Sequence, residues 1–388
     1  MTSSPTTYAR ARLRLGMTGV GLFVVLATAL LLGDLPERWL PTTALGERAE
    51  LAWLGSLFGL YALLHAPLDA LGGWLLPRRF GRRTPAAGAA VLRWLRGVLV
   101  QGVVVVGSAS VMLSVARAAG PWAAWVAALG LMIVLVAFQA PLARLVGGFG
   151  GATEAPIGLG DRLSVAVGRR VPLRLWWAAD EGFTGGWFGL PGVETLVLPA
   201  RWVEELSRDE LEAVVLHRAG ALATGSRTRG LLLALGFTAG GLALASQLPG
   251  AGFATLAELA RTALGSTLWT FLGLLFLPSA SRPAVLAADA FARERGVLNG
   301  PLARAIRRLD GWQDDEPERP VVVETVFHPI PSAERRVASL AETKVPRGGA
   351  WHAARMMLFL SWAGLGLLAR AVHCNAGRPQ LWVALPAD

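Results

Sequence analysis

The sequence predicts a mainly α-helical, polytopic membrane protein of about seven transmembrane helices carrying an α+β domain on the cytoplasmic side. Three observations predict it. Only 16% of the 388 residues are charged and 53% are hydrophobic, whereas a soluble domain carries about 25% charged residues. Seven apolar segments, at 16–33, 52–76, 97–116, 121–140, 230–248, 264–280 and 354–372, each approach the ~20 residues that cross a bilayer as a helix. Arginines gather at the ends of these segments, the distribution that sets membrane orientation.

The first segment follows Arg10, Arg12 and Arg14. No small-residue cleavage site follows it and further spans do, so it reads as an uncleaved anchor rather than a signal peptide. Arg78, Arg79, Arg82, Arg83, Arg93 and Arg96 crowd the loop between segments two and three, while the 34–50 loop carries two arginines against four acids. Basic loops stay in the cytoplasm. The N-terminus is therefore expected inside, with segments one to four forming two hairpins. Residues 141–229 and 281–353 are expected to be cytoplasmic, separated by a third hairpin, and segment seven would leave Cys374 and the tail on the far side. This divides the chain into an N-terminal membrane region (1–140), a domain interrupted by the hairpin at about 230–280 (141–345), and a last helix with its tail (346–388).

The net charge of +10 is nearly all arginine, Lys344 being the only lysine. Membrane topology and a GC-rich composition account for that excess, and no nucleic-acid partner is expected. The bilayer is the expected partner. A single cysteine, Cys374, excludes an intramolecular disulfide and a thiolate zinc site.

Within the cytoplasmic stretches, "RLSVAVGRRVPLRLWWAADE" (162–181) alternates apolar positions with turn residues and suggests strands, and "VETLVLPARW" reads as a short strand ended by Pro199. Ser207 is a good N-cap, with Glu210 three residues on completing a capping box. The helix that follows places Leu211, Val214, Val215 and Leu222 on one buried stripe. "WQDDEPERP" (312–320) reads as a surface loop.

Four landmarks in order then resemble the M48 family of integral-membrane zinc endopeptidases, the group containing the CAAX prenyl-protein and HtpX proteases, over roughly 155–345. "DEGFTGGWFGLPGVETLVLPARWVEELSRDELEAVVLH" resembles the approach to the family's zinc helix, and "HRAGA" (217–221) stands where H-E-x-x-H is expected. After a transmembrane hairpin, "SRPAVLAADAFA" (281–292) is similar to the S-R-x-x-E-x-x-A-D helix. "FHPIPSAERRVASL" (327–340) is similar to the H-P-x-x-x-x-R-x-x-x-L segment.

In an intact site of this kind, H-E-x-x-H presents two histidines one turn apart to one Zn²⁺, and the Glu takes a proton from the bound water. The metal lowers the pKa of that water from 15.7 to about 7. The resemblance implies a third ligand from the E-x-x-A-D helix. Here His217 matches the first ligand, Arg218 replaces the general base, Ala221 the second ligand and Val285 the third. Asp289, His328 and Arg335 match retained positions, as cleft or supporting residues. One of four zinc-chemistry groups survives, and a catalytic zinc needs three protein ligands. Two unit charges ~4 Å apart interact by about 4 kcal/mol at an effective dielectric of ~20, and a dication doubles the repulsion from an arginine. No catalytic residue and no cofactor are expected, although zinc serves the intact family.

A rebuilt His217/His328/Asp289 set is the alternative. In the bland reading His217 is a hydrogen-bonded relic and Asp289 pairs helices, with Arg335 a partner for Asp289 or for a carboxylate at the cleft edge. His65 and Asp69 share one face of segment two, as an interfacial end or an ion path. Trp74, Trp122, Trp125, Trp269 and Trp362 fit interfacial belts. The resemblance further implies a substrate-facing surface at Phe183, Gly185, Gly186, Leu196 and Val197, where an extended peptide would add to an edge strand. Function follows as an inactive peptidase homologue in the cytoplasmic membrane that binds membrane-protein segments, peptides or an active paralogue. The alternatives are a zinc endopeptidase with displaced ligands and a membrane sensor borrowing the same architecture.

Overall fold

The computed structural model describes residues 7–313, 316, 318–342, 348–364 and 366–384. The chain is a mostly helical, multi-pass membrane protein with one small sheet. Six of the seven apolar segments lie in long helices. Among the described residues, five helices are long and apolar enough to span alone: Tyr8–Leu32, Glu47–Arg79, Ala87–Ala119, Ser226–Ala245 and Leu256–Glu294. A sixth candidate is the pair Pro121–Ala137 and Gln139–Val146, bent by 73°.

Segment seven behaves differently. Ala353–Trp362 is a helix of 10 residues, about 15 Å of rise, or half of a ~30 Å hydrocarbon core. Gly364 and Gly366 follow it, and Arg370 interrupts the apolar run. The helix is wedged against Ser226–Ala245 and Leu256–Glu294. Beyond it the chain stays inside the protein, with Leu368, Arg370, Leu381 and Trp382 fully buried. Residues 366–384 therefore pack within the protein rather than leaving it as a seventh long helix. Arg378 Nε donates to Asp180 Oδ2 at 2.7 Å, which returns this stretch to the end that carries the sheet. Burial alone would raise the Asp180 pKa, but Arg378 outweighs it and holds the carboxyl below its ordinary value.

Buried ions organise the membrane core as well. His65 and Asp69 are 0% and 3% exposed, inside the protein rather than at an interface. Asp69 pairs with Arg370 and accepts from Trp94 Nε1 at 2.9 Å and from the Gly377 amide at 2.8 Å. Arg370 also donates to Gln101 Oε1 at 3.2 Å and lies 4.4 Å from the Trp382 ring centroid. Of the belt tryptophans, Trp122 is exposed, whereas Trp362 is only 1% exposed and belongs to the interior packing. Trp125 and Trp269 donate to the Ala239 and Phe237 carbonyls.

The sheet has four strands in the order β1-β2-β4-β3: β1 Phe149–Thr153, β2 Leu173–Ala178, β3 Gly186–Phe188 and β4 Thr195–Pro199. β2 and β4 run parallel, and β1 and β3 flank them antiparallel. The first half of the 162–181 stretch is a helix, Leu159–Val167, rather than a strand, its apolar residues Leu159, Leu163 and Ala166 falling on one buried face. Pro199 ends β4. In the 312–320 stretch, positions 314, 315 and 317 lie outside the described residues.

Truncating one partner of a buried ion pair costs about 3–5 kcal/mol, because it strands the other charge. Arg370→Leu is expected to lower the unfolding midpoint sharply in detergent, and Asp69→Asn/Arg370→Leu to recover part of the loss. Equal midpoints for wild type and Arg370→Leu would contradict this account of the core.

Candidate functional site

The candidate site lies where the His217 helix, Arg208–Ala223, crosses the long helix Leu256–Glu294. The Ser207 capping box forms as expected: Glu210 N donates to Ser207 Oγ at 3.3 Å, and Ser207 N donates to Glu210 Oε2 at 3.0 Å. The helix is buried on every side rather than along a stripe, with Leu211 and all of Ala213–Ala221 in the interior. The sheet domain, Leu159–Val167, Asn299–Trp312 and the long helix enclose it.

The long helix has 39 residues, about 58 Å, nearly twice a bilayer's hydrocarbon core of ~30 Å. Its C-terminal part therefore projects from the membrane and delivers Val285 and Asp289 to the His217 helix. Gly220 lets the two helices meet, since a Cβ there would lie 2.9 Å from Ala288 Cα.

At this crossing His217 Nδ1 lies 2.8 Å from Asp289 Oδ1. Arg336 grips the same carboxylate with both arms, Nε to Oδ2 at 2.9 Å and Nη2 to Oδ1 at 2.8 Å. Trp351 packs beside the imidazole, ring centroids 5.4 Å apart. Arg335, the residue before Arg336, donates to a different carboxylate, Glu324 Oε1, at 2.6 Å. Burial would raise the Glu324 pKa, but the Ser332 amide and Arg335 outweigh it and hold the carboxyl below its ordinary value.

Arg218 is fully buried and its Nη2 donates to the Thr184 carbonyl at 3.1 Å. The guanidinium therefore lies between the His217 helix and the turn that leads into β3. Trp187 Nε1 closes the other side by donating to the Arg218 carbonyl at 3.0 Å. That turn needs glycine at Gly185, whose φ is +78° and whose Cβ would meet the Val197 carbonyl oxygen at 2.2 Å. Phe183, Leu196 and Val197 are fully buried. β4, which carries Leu196 and Val197, is an inner strand with hydrogen-bonded neighbours on both sides. Gly186 opens β3, an edge strand whose three residues are all buried. The exposed edge is β1 at Gly150–Thr153.

This donor set does not fit a zinc ion. Ala221 and Val285 are buried aliphatic side chains, and Arg218 brings a fixed positive charge into the same crossing. Among the described residues, no three His, Cys, Asp or Glu side chains gather closely enough to hold a metal. His217 and Asp289 converge, while the His328 ring lies tilted against His373, centroids 5.6 Å apart. The arrangement holds a buried carboxylate between an imidazole and a guanidinium.

The fold is similar to that of S. mikatae Ste24p. Its crystal structure superposes with a TM-score of 0.62 at 14% sequence identity, over 83% of this chain and 79% of that one. No protein-family model matches the chain, and no curated protein sequence does.

Two expectations follow from the site. Arg336→Leu leaves Asp289 buried with only His217, so a loss of about 3–5 kcal/mol is expected, far above that of Arg307→Ala at an exposed pair. Thermal or denaturant unfolding of both variants checks it. Glu324→Gln is expected to destabilise by about 2 kcal/mol at pH 7, the scale of hydrogen bonds to a charged group. A carboxyl with a lowered folded pKa contributes above its unfolded value and loses that contribution as pH falls through the folded one. The gap between Glu324→Gln and wild type should therefore close below about pH 4, the ordinary carboxyl range. A gap independent of pH would contradict the assignment.

Proposed function

We propose that this chain is an M48-type membrane peptidase homologue that does not hydrolyse peptides and works by binding a protein segment in the membrane. The observation that carries the reading is Arg218, fully buried and donating to Thr184 at the position where the family pattern places its proton-accepting Glu. A guanidinium stays protonated throughout the physiological range and accepts no proton. Support for the family comes from the four ordered landmarks and from the fold similarity to Ste24p, a CAAX prenyl protease of the M48 family.

In this reading Asp289 and Arg336 keep the two helices docked without metal. His217 serves as a close polar partner for Asp289 rather than a ligand. Arg218 occupies the groove between the helix and the Phe183–Gly186 turn that a scissile segment would need. An extended segment pairs with backbone groups of an accessible sheet edge, and β1 at Gly150–Thr153 is the exposed one.

The test is metal content together with turnover. Full-length protein purified in detergent without added metal is expected to carry no zinc by elemental analysis, and His217→Ala to be indistinguishable from it. Neither should cleave an unfolded membrane-protein segment that photocrosslinks to the wild type. Near-stoichiometric zinc that disappears in His217→Ala, with chelator-sensitive cleavage, would replace this reading by that of an active endopeptidase.

A further inference from the structure

A cavity of about 670 Å³ opens away from the His217–Asp289 crossing, between the start of the first helix, the end of the second, the 81–87 loop, the 179–182 loop and the Gly377–Gln380 stretch. This volume falls within the range of small-molecule sites, roughly 300–1,000 Å³. Its position is where the basic loop between the second and third membrane helices meets the sheet-bearing domain.

The cavity has two chemically distinct parts. Arg82, Arg83 and Arg93 stand on the loop side, with Glu181 the exposed acid opposite them. Trp74, Trp94, Val91 and Pro77 provide apolar wall. The two other acids that line it are already satisfied from within the protein. Asp69 accepts from Arg370, Trp94 and the Gly377 amide, and Asp180 from Arg378, Gln380 and the Gly182 amide. Among the described residues, Arg83 and Arg93 make no hydrogen bond or ion pair of their own. Arg93 is nevertheless half-buried, an arrangement that leaves a partly desolvated cation without an anion.

A further donor is unmatched. Trp74 Nε1 is buried and has no acceptor, in an indole that lines the same cavity. Trp74 sits in a π-helical turn, Leu71–Leu75, set between two α-helical stretches. Such turns interrupt a helix at a cost and recur at functional sites. Cations beside an apolar wall together describe a receptor for a molecule with an anionic oxygen-rich head and a hydrocarbon body.

We propose that this cavity binds one anionic phospholipid, its phosphate between Arg83 and Arg93 and its acyl chains against Trp74, Trp94 and Val91. Basic pockets between membrane helices at the surface of the bilayer recognise lipid head groups in this way. The bound lipid would fill the space between the membrane helices and the sheet domain, and would join the two parts through the loop that carries the arginines.

The experiment is native mass spectrometry of the full-length protein in detergent, titrated with phosphatidylglycerol, phosphatidylcholine of the same chains, and glycerol 3-phosphate. One phosphatidylglycerol per chain should be retained, with phosphatidylcholine at least about tenfold weaker and glycerol 3-phosphate unretained. Arg83→Ala/Arg93→Ala should weaken phosphatidylglycerol roughly tenfold or more, since each basic residue near an anionic head group contributes severalfold. Arg83→Lys/Arg93→Lys should keep most of the binding, which separates lost charge from a lost fold. Arg14→Ala/Arg79→Ala, which removes two exposed arginines outside the cavity, should leave it unchanged. An equal loss in both alanine pairs would mean diffuse attraction to a basic surface and would overturn the site. Equal retention of phosphatidylcholine, or of glycerol 3-phosphate alone, would overturn it too.

Discussion

Asp289 is a carboxylate with 1% exposure, and the cost of burying that charge shapes the sheet-bearing domain around it. An isolated buried ion is not tolerated, so it must be met by opposite charge and hydrogen bonds. Arg336 supplies both arms of a guanidinium from the 327–340 segment, and His217 supplies an imidazole from the second landmark. One carboxylate therefore holds together three stretches that are far apart in sequence. This requirement is independent of any metal, so the three stretches stay joined with the aliphatic side chains of Ala221 and Val285 and the buried Arg218 packed beside them.

The same device recurs twice, once among the membrane helices and once where the C-terminal stretch meets the sheet-bearing domain. Asp69 meets Arg370, and Asp180 meets Arg378, and both arginines come from the stretch that follows Trp362. Arginine suits this role because it stays charged when buried and offers donors to several acceptors at once. Arg370 serves Asp69, Gln101 and the Trp382 ring together. A chain rich in arginine for compositional reasons thus has buried cations available wherever a carboxylate must enter low dielectric.

Much of this architecture was legible in the sequence, and the failures have physical causes. Six apolar segments became long helices because length and hydropathy decide membrane insertion directly. The Ser207 capping box formed because it depends on four adjacent residues alone. Segment seven failed because a buried helix in a polytopic protein has the same composition as a lipid-facing one, and hydropathy does not separate them. Arg335 pairs with a carboxylate, Glu324, the second of its two expected kinds of partner, while Asp289 is held by Arg336. The R-x-x-x-L spacing to Leu340 fits Arg336, and Ala333, Arg336 and Leu340 share one helical face, all buried. The contact of Arg218 with Thr184 was not legible, because it depends on the close approach of the β3 turn. Gly220 and Ala288, which let the helices meet, are small residues whose value appears only when both helices are known.

The pairing of Asp69 with Arg370 has a consequence for how the protein is made. The two residues are 301 positions apart, and chains emerge from the ribosome N-terminal end first. When the second membrane helix is inserted its carboxylate has no partner, and all the other long helices are synthesised before Arg370 exists. Assembly of the core is therefore ordered in time. The bundle must remain open enough during synthesis for a late polar segment to enter it and bring Arg370 to Asp69.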